Sequence, residues 1–173
     1  KEKFISNTKY QDPYSDTHLQ EHLSLITMLS KFGREDVYFV NPDGTIIYSI
    51  YKNADFGTNL INGPYKNSGL GKVFRQSQKL KPGGVVVEDI SNYEPSFNEK
   101  VAFMAMPIYF KKDYEGSIIF QFPMGKVDEI MNFANEYDKV GLGDSGEAYL
   151  VGPDLIMRSK SRFTNEIAAN HKD

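Results

Sequence analysis

The residues of this chain whose types and spacing invite a chemical reading are three histidines, a few acidic residues near strand ends, and one glycine-rich loop. His18 and His22 lie four apart, a helical spacing that can present two imidazoles to one metal. Asp16 and Glu21 are the further ligand types nearby, and catalytic zinc ordinarily takes three protein ligands, so no metal site is expected. Asp36, Asp55, Glu88 and Asp89 offer carboxylates for acid–base work. Their places at turns and strand edges read instead as turn formers and solvated charges. Gly141-Leu142-Gly143-Asp144-Ser145-Gly146 matches GxGxxG, but the dinucleotide fingerprint needs a strand before it and a helix after it. Here the order is reversed. The GDSG within it resembles a serine nucleophile loop, which requires a histidine base and a buried acid. None of His18, His22 and His171 stands in such a context. The loop is read as a connector, and the chain as a non-enzyme without a cofactor.

Composition narrows the field further. The 173 residues fit one ordinary domain, with 40% hydrophobic and 13% aromatic residues to build a core. A net charge of −3 argues against nucleic-acid binding, since no wide basic surface is available. With no cysteine, disulfides, thiolate catalysis and cysteine-ligated zinc are excluded together, and an extracytoplasmic location is suited. No run of about 18 apolar residues is present, so no membrane span is expected. The chain opens on Lys1 without an initiator methionine or signal sequence and is read as part of a longer protein.

The elements that must position any site begin at residues 36–60. Val37–Val40 and Ile46–Tyr51 are β-branched and aromatic, and Asn41-Pro42-Asp43-Gly44 between them is a tight turn. A four-residue turn sets Val40 opposite Thr45. Val37, Phe39, Ile46 and Tyr48 then share one face, and Tyr38, Val40, Ile47, Ser49 and Tyr51 the other. Both faces are apolar, so both must be covered. Before the hairpin, Leu19, Leu23, Ile26, Leu29 and Phe32 form one stripe of a helix from about residue 16 to 32. After it, residues 52–65 are too rich in Gly, Asn and Pro for regular structure. Ser68 caps a short helix from Gly69 to about Leu80. Strands follow at 85–87, 101–110 and 117–122, with Ser91–Ser96 as a loop, then a helix from about 125 to 136. This order fits an α+β fold: a PAS-like five-stranded antiparallel sheet with a long N-terminal helix on one face and a helical lid on the other. The expected divisions are an N-terminal helical segment (1–35), a PAS-like module (36–139), and the start of a second, truncated module (140–173).

Aromatic Tyr48, Phe56, Tyr65, Tyr93 and Phe103, with Ala105 and polar Asp55, Asn59 and Ser68, are the candidate ligand-binding residues where such a lid would roof a cavity. Small-molecule sites are mainly apolar with a few placed polar groups. Two readings fit this lining: a pocket, or a filled core with polar residues satisfying the lid backbone. Residues 147–159, EAYLVGPDLIMRS, echo the opening hairpin about 111 residues later, with one residue lost in the turn. That echo is the ground for expecting a second module after residue 140.

DVYFVNPDGTIIYSIYKNADFGTNL, GPYKNSGL, NYEPS and GLGDSGEAYLVGPDLIMRSKSRF together resemble the extracytoplasmic Cache sensor modules of bacterial chemoreceptors, histidine kinases and cyclases, over about Tyr10 to Phe163. The resemblance implies a periplasmic domain of an inner-membrane protein, between transmembrane helices. It implies a small-molecule ligand, a cytoplasmic signalling domain, and a homodimer through the N-terminal helix. Amino-acid-binding members use an Arg and Trp pair with Tyr and Asp around the ligand; this chain has no Trp, so that signature is absent. Chemotaxis is the expected output. A kinase or cyclase, or a structural or protein-interaction module with a filled core, stands as the alternative.

Overall fold

A computed structural model describes residues 13–32 and 36–163. The chain forms two compact units that divide between Phe122 and Pro123, ahead of the expected start of a second module at 140.

The first unit opens with helix α1 (Pro13–Phe32). Strands β1 (Asp36–Val40) and β2 (Ile46–Ser49) follow, then helix α2 (Gly69–Ser77) and strands β3 (Val86–Tyr93), β4 (Glu99–Phe110) and β5 (Asp113–Pro123). The strands form one sheet in the order β2-β1-β5-β4-β3. The pairings of β1 with β2, β1 with β5 and β3 with β4 are antiparallel. This is the expected α+β sheet, with a helix on either face. Leu25, Ile26 and Leu29 of α1 pack with Val37, Phe39, Tyr48, Ile50, Met104, Met106, Ile118 and Phe120. The other face, Tyr38, Val40, Ile46, Val101, Phe103, Ala105 and Ile119, lies under Leu60 of the lid and Leu70, Val73 and Phe74 of α2. The side chains of His18, Leu19 and Phe32 lie outside the described residues, and Leu23 is exposed.

Three boundaries differ from expectation for local reasons. Val40 pairs with Ile46 and Phe39 with Tyr48, so Ile47 is an extra residue on β2 and bulges outward, exposed. The bulge puts Ile46, not Ile47, on the lid side with Val40, correcting the expected faces. The segment expected as a loop at 91–96 is strand as far as Tyr93, which pairs with Glu99; a register shift between Glu88 and Ser91 carries the strand on. The turn is confined to Glu94–Ser96 and to Phe97 and Asn98, both at positive φ. Helix α2 stops at Ser77, three residues short of the expected end. Its start is as read: Ser68 Oγ accepts from the Gly71 amide at 3.3 Å.

The second unit, by itself, holds helix α3 (Met124–Met131) and irregular chain. Positive φ at Phe133, Ala134 and Asn135 ends the helix before the expected 136. Its echo of the first hairpin is closer than the sequence suggested. In the first hairpin Asn41 N donates to Thr45 O (2.9 Å) and Gly44 N to Asn41 O (2.9 Å). Thr45 N donates to Asp43 Oδ1 (2.9 Å). In the second, Gly152 N donates to Ile156 O (2.9 Å) and Leu155 N to Gly152 O (2.9 Å). Ile156 N donates to Asp154 Oδ1 (3.1 Å). The turns match residue for residue, so none is lost; Leu155 stands where the first copy has Gly44.

Candidate functional site

Strand parity decides what lies beneath the lid. Side chains alternate across a strand, so Asp36 shares a face with Tyr38 and Val40. Gln121, paired with Asp36, lies opposite it on β5. The lid-side face of β1 and β5, otherwise apolar, therefore carries a carboxylate and an amide inward, both buried. The chain leaving β2 brings Asp55 onto this face, the end of β3 brings Tyr93 and the turn after it Ser96; all three are buried.

These groups form one hydrogen-bonded cluster. Tyr38 Oη donates to Gln121 Oε1 at 2.9 Å, and Gln121 Nε2 donates to Ser96 Oγ at 2.9 Å. Tyr93 Oη donates to Asp55 Oδ2 at 2.6 Å. Asp36 Oδ1 accepts the amides of Val37 (2.7 Å) and Ile50 (2.8 Å). Asp36 Oδ2 and Asp55 Oδ1 are buried with no hydrogen-bond partner. A buried carboxylate oxygen without a donor costs free energy, and native interiors hold few of them. Apolar walls surround the cluster: the Tyr93 and Phe103 rings meet edge to face at 5.1 Å, Tyr38 and Phe103 at 6.4 Å, and Tyr65 lies 6.2 Å from Tyr93.

Burial sets the electrostatics. Desolvation pushes Asp36 up to about 7, with its backbone donors opposing and the nearby Asp55 adding to the rise. Asp55 is raised by burial against the pull of its Tyr93 hydrogen bond. Burial and these carboxylates hold the Tyr38 and Tyr93 hydroxyls well above the usual phenol range, so both stay protonated donors. Lys52, at positive φ just past β2, is lowered by burial while Asp36 favours its charge. Its ammonium lies 5.3 Å from the Tyr48 ring centroid and 5.6 Å from that of Phe56.

The nine residues expected at the site divide into groups. Asp55 and Tyr93 are in the polar cluster. Phe56, Tyr65, Phe103 and Ala105 belong to the apolar layer of the same face. Asn59 and Ser68 hold the lid's own backbone: Asn59 Nδ2 donates to Asp43 O (2.9 Å), its Oδ1 accepts from Ile61 N (2.9 Å), and Ser68 caps α2. Tyr48 requires correction. It shares a face with Val37 and Phe39, as the alternation placed it, but that face meets α1 rather than the lid; there it packs against Phe39 and hydrogen-bonds His22 Nδ1 at 2.7 Å. His22 is thus committed to Tyr48, and among the described residues no group of three potential metal ligands occurs. Asp36, Tyr38, Ser96 and Gln121 were missed. The signal for them was parity: Gln121 alternates with Ile119, and Asp36 with Tyr38, so a polar residue falls on an inward position of each strand.

The GLGDSG loop serves structure within the second unit. Arg162 donates to the carbonyls of Gly143 (3.0 Å), Gly146 (2.7 Å) and Asp144 (2.8 Å) and stacks 3.8 Å over the Tyr137 ring. Its guanidinium is spent on the loop, which argues against an anion site in the open cleft alongside.

No protein-family model and no curated protein matches the sequence. Solved structures do match. The ligand-binding domain of the Campylobacter jejuni chemoreceptor Tlp3, in complex with 4-methylisoleucine, aligns at TM-score 0.60 and 13% identity, over 99% of this chain and 61% of that one. The ligand-binding domain of the Pseudomonas aeruginosa amino acid chemoreceptor PctC, in complex with GABA, aligns at 0.57 and 13%, over 90% of this chain and 60% of that one. That of P. aeruginosa PctB, in complex with L-Gln, aligns at 0.56 and 16%, over 89% and 55%. The chain spans less than two thirds of each of these domains. It has the PAS-like fold of Cache-type sensor domains.

Proposed function

We propose that this chain is the extracytoplasmic ligand-sensing part of a transmembrane chemoreceptor, holding a small molecule between the sheet and the lid of residues 53–67. The observation that carries this reading is the pair of buried, unpartnered carboxylate oxygens on Asp36 and Asp55, set among aromatic walls on the lid-side face. The fold shared with chemoreceptor ligand-binding domains in complex with small molecules supports it. The aromatic walls with a few placed polar groups support a binding role.

A route to the helix follows from the contacts. Asp36 accepts from Ile50 and is coupled to Lys52, Lys52 lies over Tyr48, and Tyr48 bonds His22 on α1. A ligand that engages Asp36 would favour one arrangement of residues 50–52 and of α1. It shifts signalling only by its difference in affinity between states. In this reading two copies pair along α1, whose Leu23 is exposed. Residues 140–173 open a second module, and membrane helices link the sensor to a cytoplasmic signalling region. A histidine kinase or cyclase would use the same sensing module with a different output.

A thermal-shift screen of amines, organic acids, nucleobases and sugars tests the proposal. A ligand at 100 times its Kd adds about 2.7 kcal/mol of stability. At least one class should raise Tm in the parent chain and fail to do so in Asp55→Asn. If every class leaves Tm unmoved, the sensor reading is wrong.

A further inference from the structure

We infer that helix α1 is held to the sheet by a proton-sensitive latch, His22 on α1 against Tyr48 on β2 beside the charge of Lys52, so that acid by itself loosens the helix. The inference concerns the α1 face and stands whether or not the lid side holds a ligand.

Spacing and contacts carry it. His22, Leu25, Ile26 and Leu29 recur at helical steps of three and four, so they share one face of α1. Leu25, Ile26 and Leu29 pack on the sheet, and the first place of that stripe holds a half-buried imidazole. Its Nδ1 lies 2.7 Å from Tyr48 Oη, with the two rings edge to face at 6.0 Å. Phe39 meets the same tyrosine ring edge to face at 5.6 Å and fixes it in place. The Lys52 ammonium stands 5.3 Å from the centre of that ring. Whichever atom of the His22–Tyr48 pair donates, a second proton turns the imidazole into an imidazolium. The docked helix then sets a positive charge near Lys52, where burial weakens the screening by water. Burial first and Lys52 second hold His22 below the usual imidazole value of 6.5.

Further charged groups bear on the latch. Asp36 on β1 favours the Lys52 charge, and burial raises Asp36 to about 7, with Asp55 adding to the rise. As pH falls through that value Asp36 takes up a proton, and its charge no longer offsets Lys52. On α1 itself, Glu21 is exposed. The direction of the effect follows. The docked imidazole binds a proton less readily than a free one, so the latch is whole above about 6.5 and weakens as pH falls below it. Asp36 acts on the sheet in the opposite sense, since its burial costs least once it is protonated. A loss of protection confined to α1 is therefore the signature.

Amide exchange on the intact chain at pH 5.5 and 7.5, corrected for intrinsic rates, tests the latch together with NMR titration of the histidine rings. Protection at residues 22–29 should drop at least tenfold at pH 5.5, while that at residues 118–120 holds or rises. His22→Gln, neutral at both pH values, should shrink the change in α1 to less than twofold. The His22 ring, identified by its loss in that variant, should titrate below 6.5 in the parent and return toward 6.5 in Lys52→Gln. Equal α1 protection at the two pH values overturns the inference. So does a fall of equal size in α1 and β5, or a pH response that survives in His22→Gln. Should His22→Gln release the helix at both pH values, the ring titration decides. A ring that titrates at or above 6.5 in the parent, or is unmoved by Lys52→Gln, overturns the latch.

Discussion

At residues 36–49 and again at 147–159 the chain closes a turn through the same three hydrogen bonds, yet the side chains beside the two turns meet different surroundings. Tyr38, Val40 and Ile46 are 0%, 2% and 1% exposed, whereas their counterparts Tyr149, Val151 and Met157 are 47%, 48% and 41% exposed. The turn is a local matter: Pro presets φ, and the Asp carboxylate holds the amide two residues on. Burial is not local. The first hairpin is covered because β5 pairs beside it, α1 packs one face, and the lid with α2 packs the other. Among the described residues the second hairpin has no such neighbours, and its side chains stay exposed. The first copy also carries the polar cluster, and only a covered face can raise a carboxylate's pKa or strand its oxygens.

The largest test of this contrast removes the same ring from both hairpins. Tyr38→Ala should cost about 3–5 kcal/mol in urea unfolding, the range for large buried aromatics, while Tyr149→Ala should stay within about 0.5 kcal/mol. Equal costs would break the comparison.

The next test concerns charge. Burial pushes Asp36 from its ordinary 3.8 up to about 7, so between those values the folded state keeps a proton that the unfolded state loses. Its contribution is therefore fully present at low pH and falls as pH rises from about 4 to about 7. Asp36→Asn should stabilise the first unit at pH 8 by about 1–4 kcal/mol and do little at pH 4. Denaturation curves at the two pH values decide it. A stabilisation as large at pH 4 as at pH 8 would sink the desolvation argument.

The smallest effects should have opposite signs. Gly44 has φ +91°, and an added Cβ would lie 2.8 Å from Ile61 Cγ1, so Gly44→Ala should destabilise by about 1–2 kcal/mol. Leu155 holds φ +62° at the matching position and is 85% exposed, so glycine there removes strain and little packing. Leu155→Gly should stabilise its turn by about 0.5–1 kcal/mol, read as slower amide exchange at residues 152–158. Two changes of the same sign would show that the turns are not equivalent.

Much of the scaffold could be read from residue types. The period-3.6 stripe of Ile26 and Leu29 and the period-2 alternation of Val101, Phe103 and Ala105 against Met104 and Met106 both face where expected. The misplacing of Ile46 has a local cause: Val40 pairs with Ile46 rather than Thr45 and Ile47 bulges, and nothing in the types Ile-Ile-Tyr announces it. Tyr48 keeps its expected face with Val37 and Phe39, and only the cover of that face, α1, went unread. The site was half legible. Asp55 and Tyr93 stood out as a lid residue and a loop aromatic. Asp36 and Gln121 did not, because an acid at a strand start reads as a solvated edge charge, and a glutamine among Ile119, Phe120 and Phe122 shows its meaning only once the cross-strand register is known.

The central claim is that the first unit holds a ligand against Asp36 and Asp55. A crystal structure of the purified chain, soaked with the best compound from the screen and resolved well enough to show ordered water, tests it most directly. The account predicts continuous density larger than a water, within hydrogen-bond distance of Asp36 Oδ2 or Asp55 Oδ1. Closed side-chain packing there, with single waters or protein groups satisfying both oxygens, would contradict it.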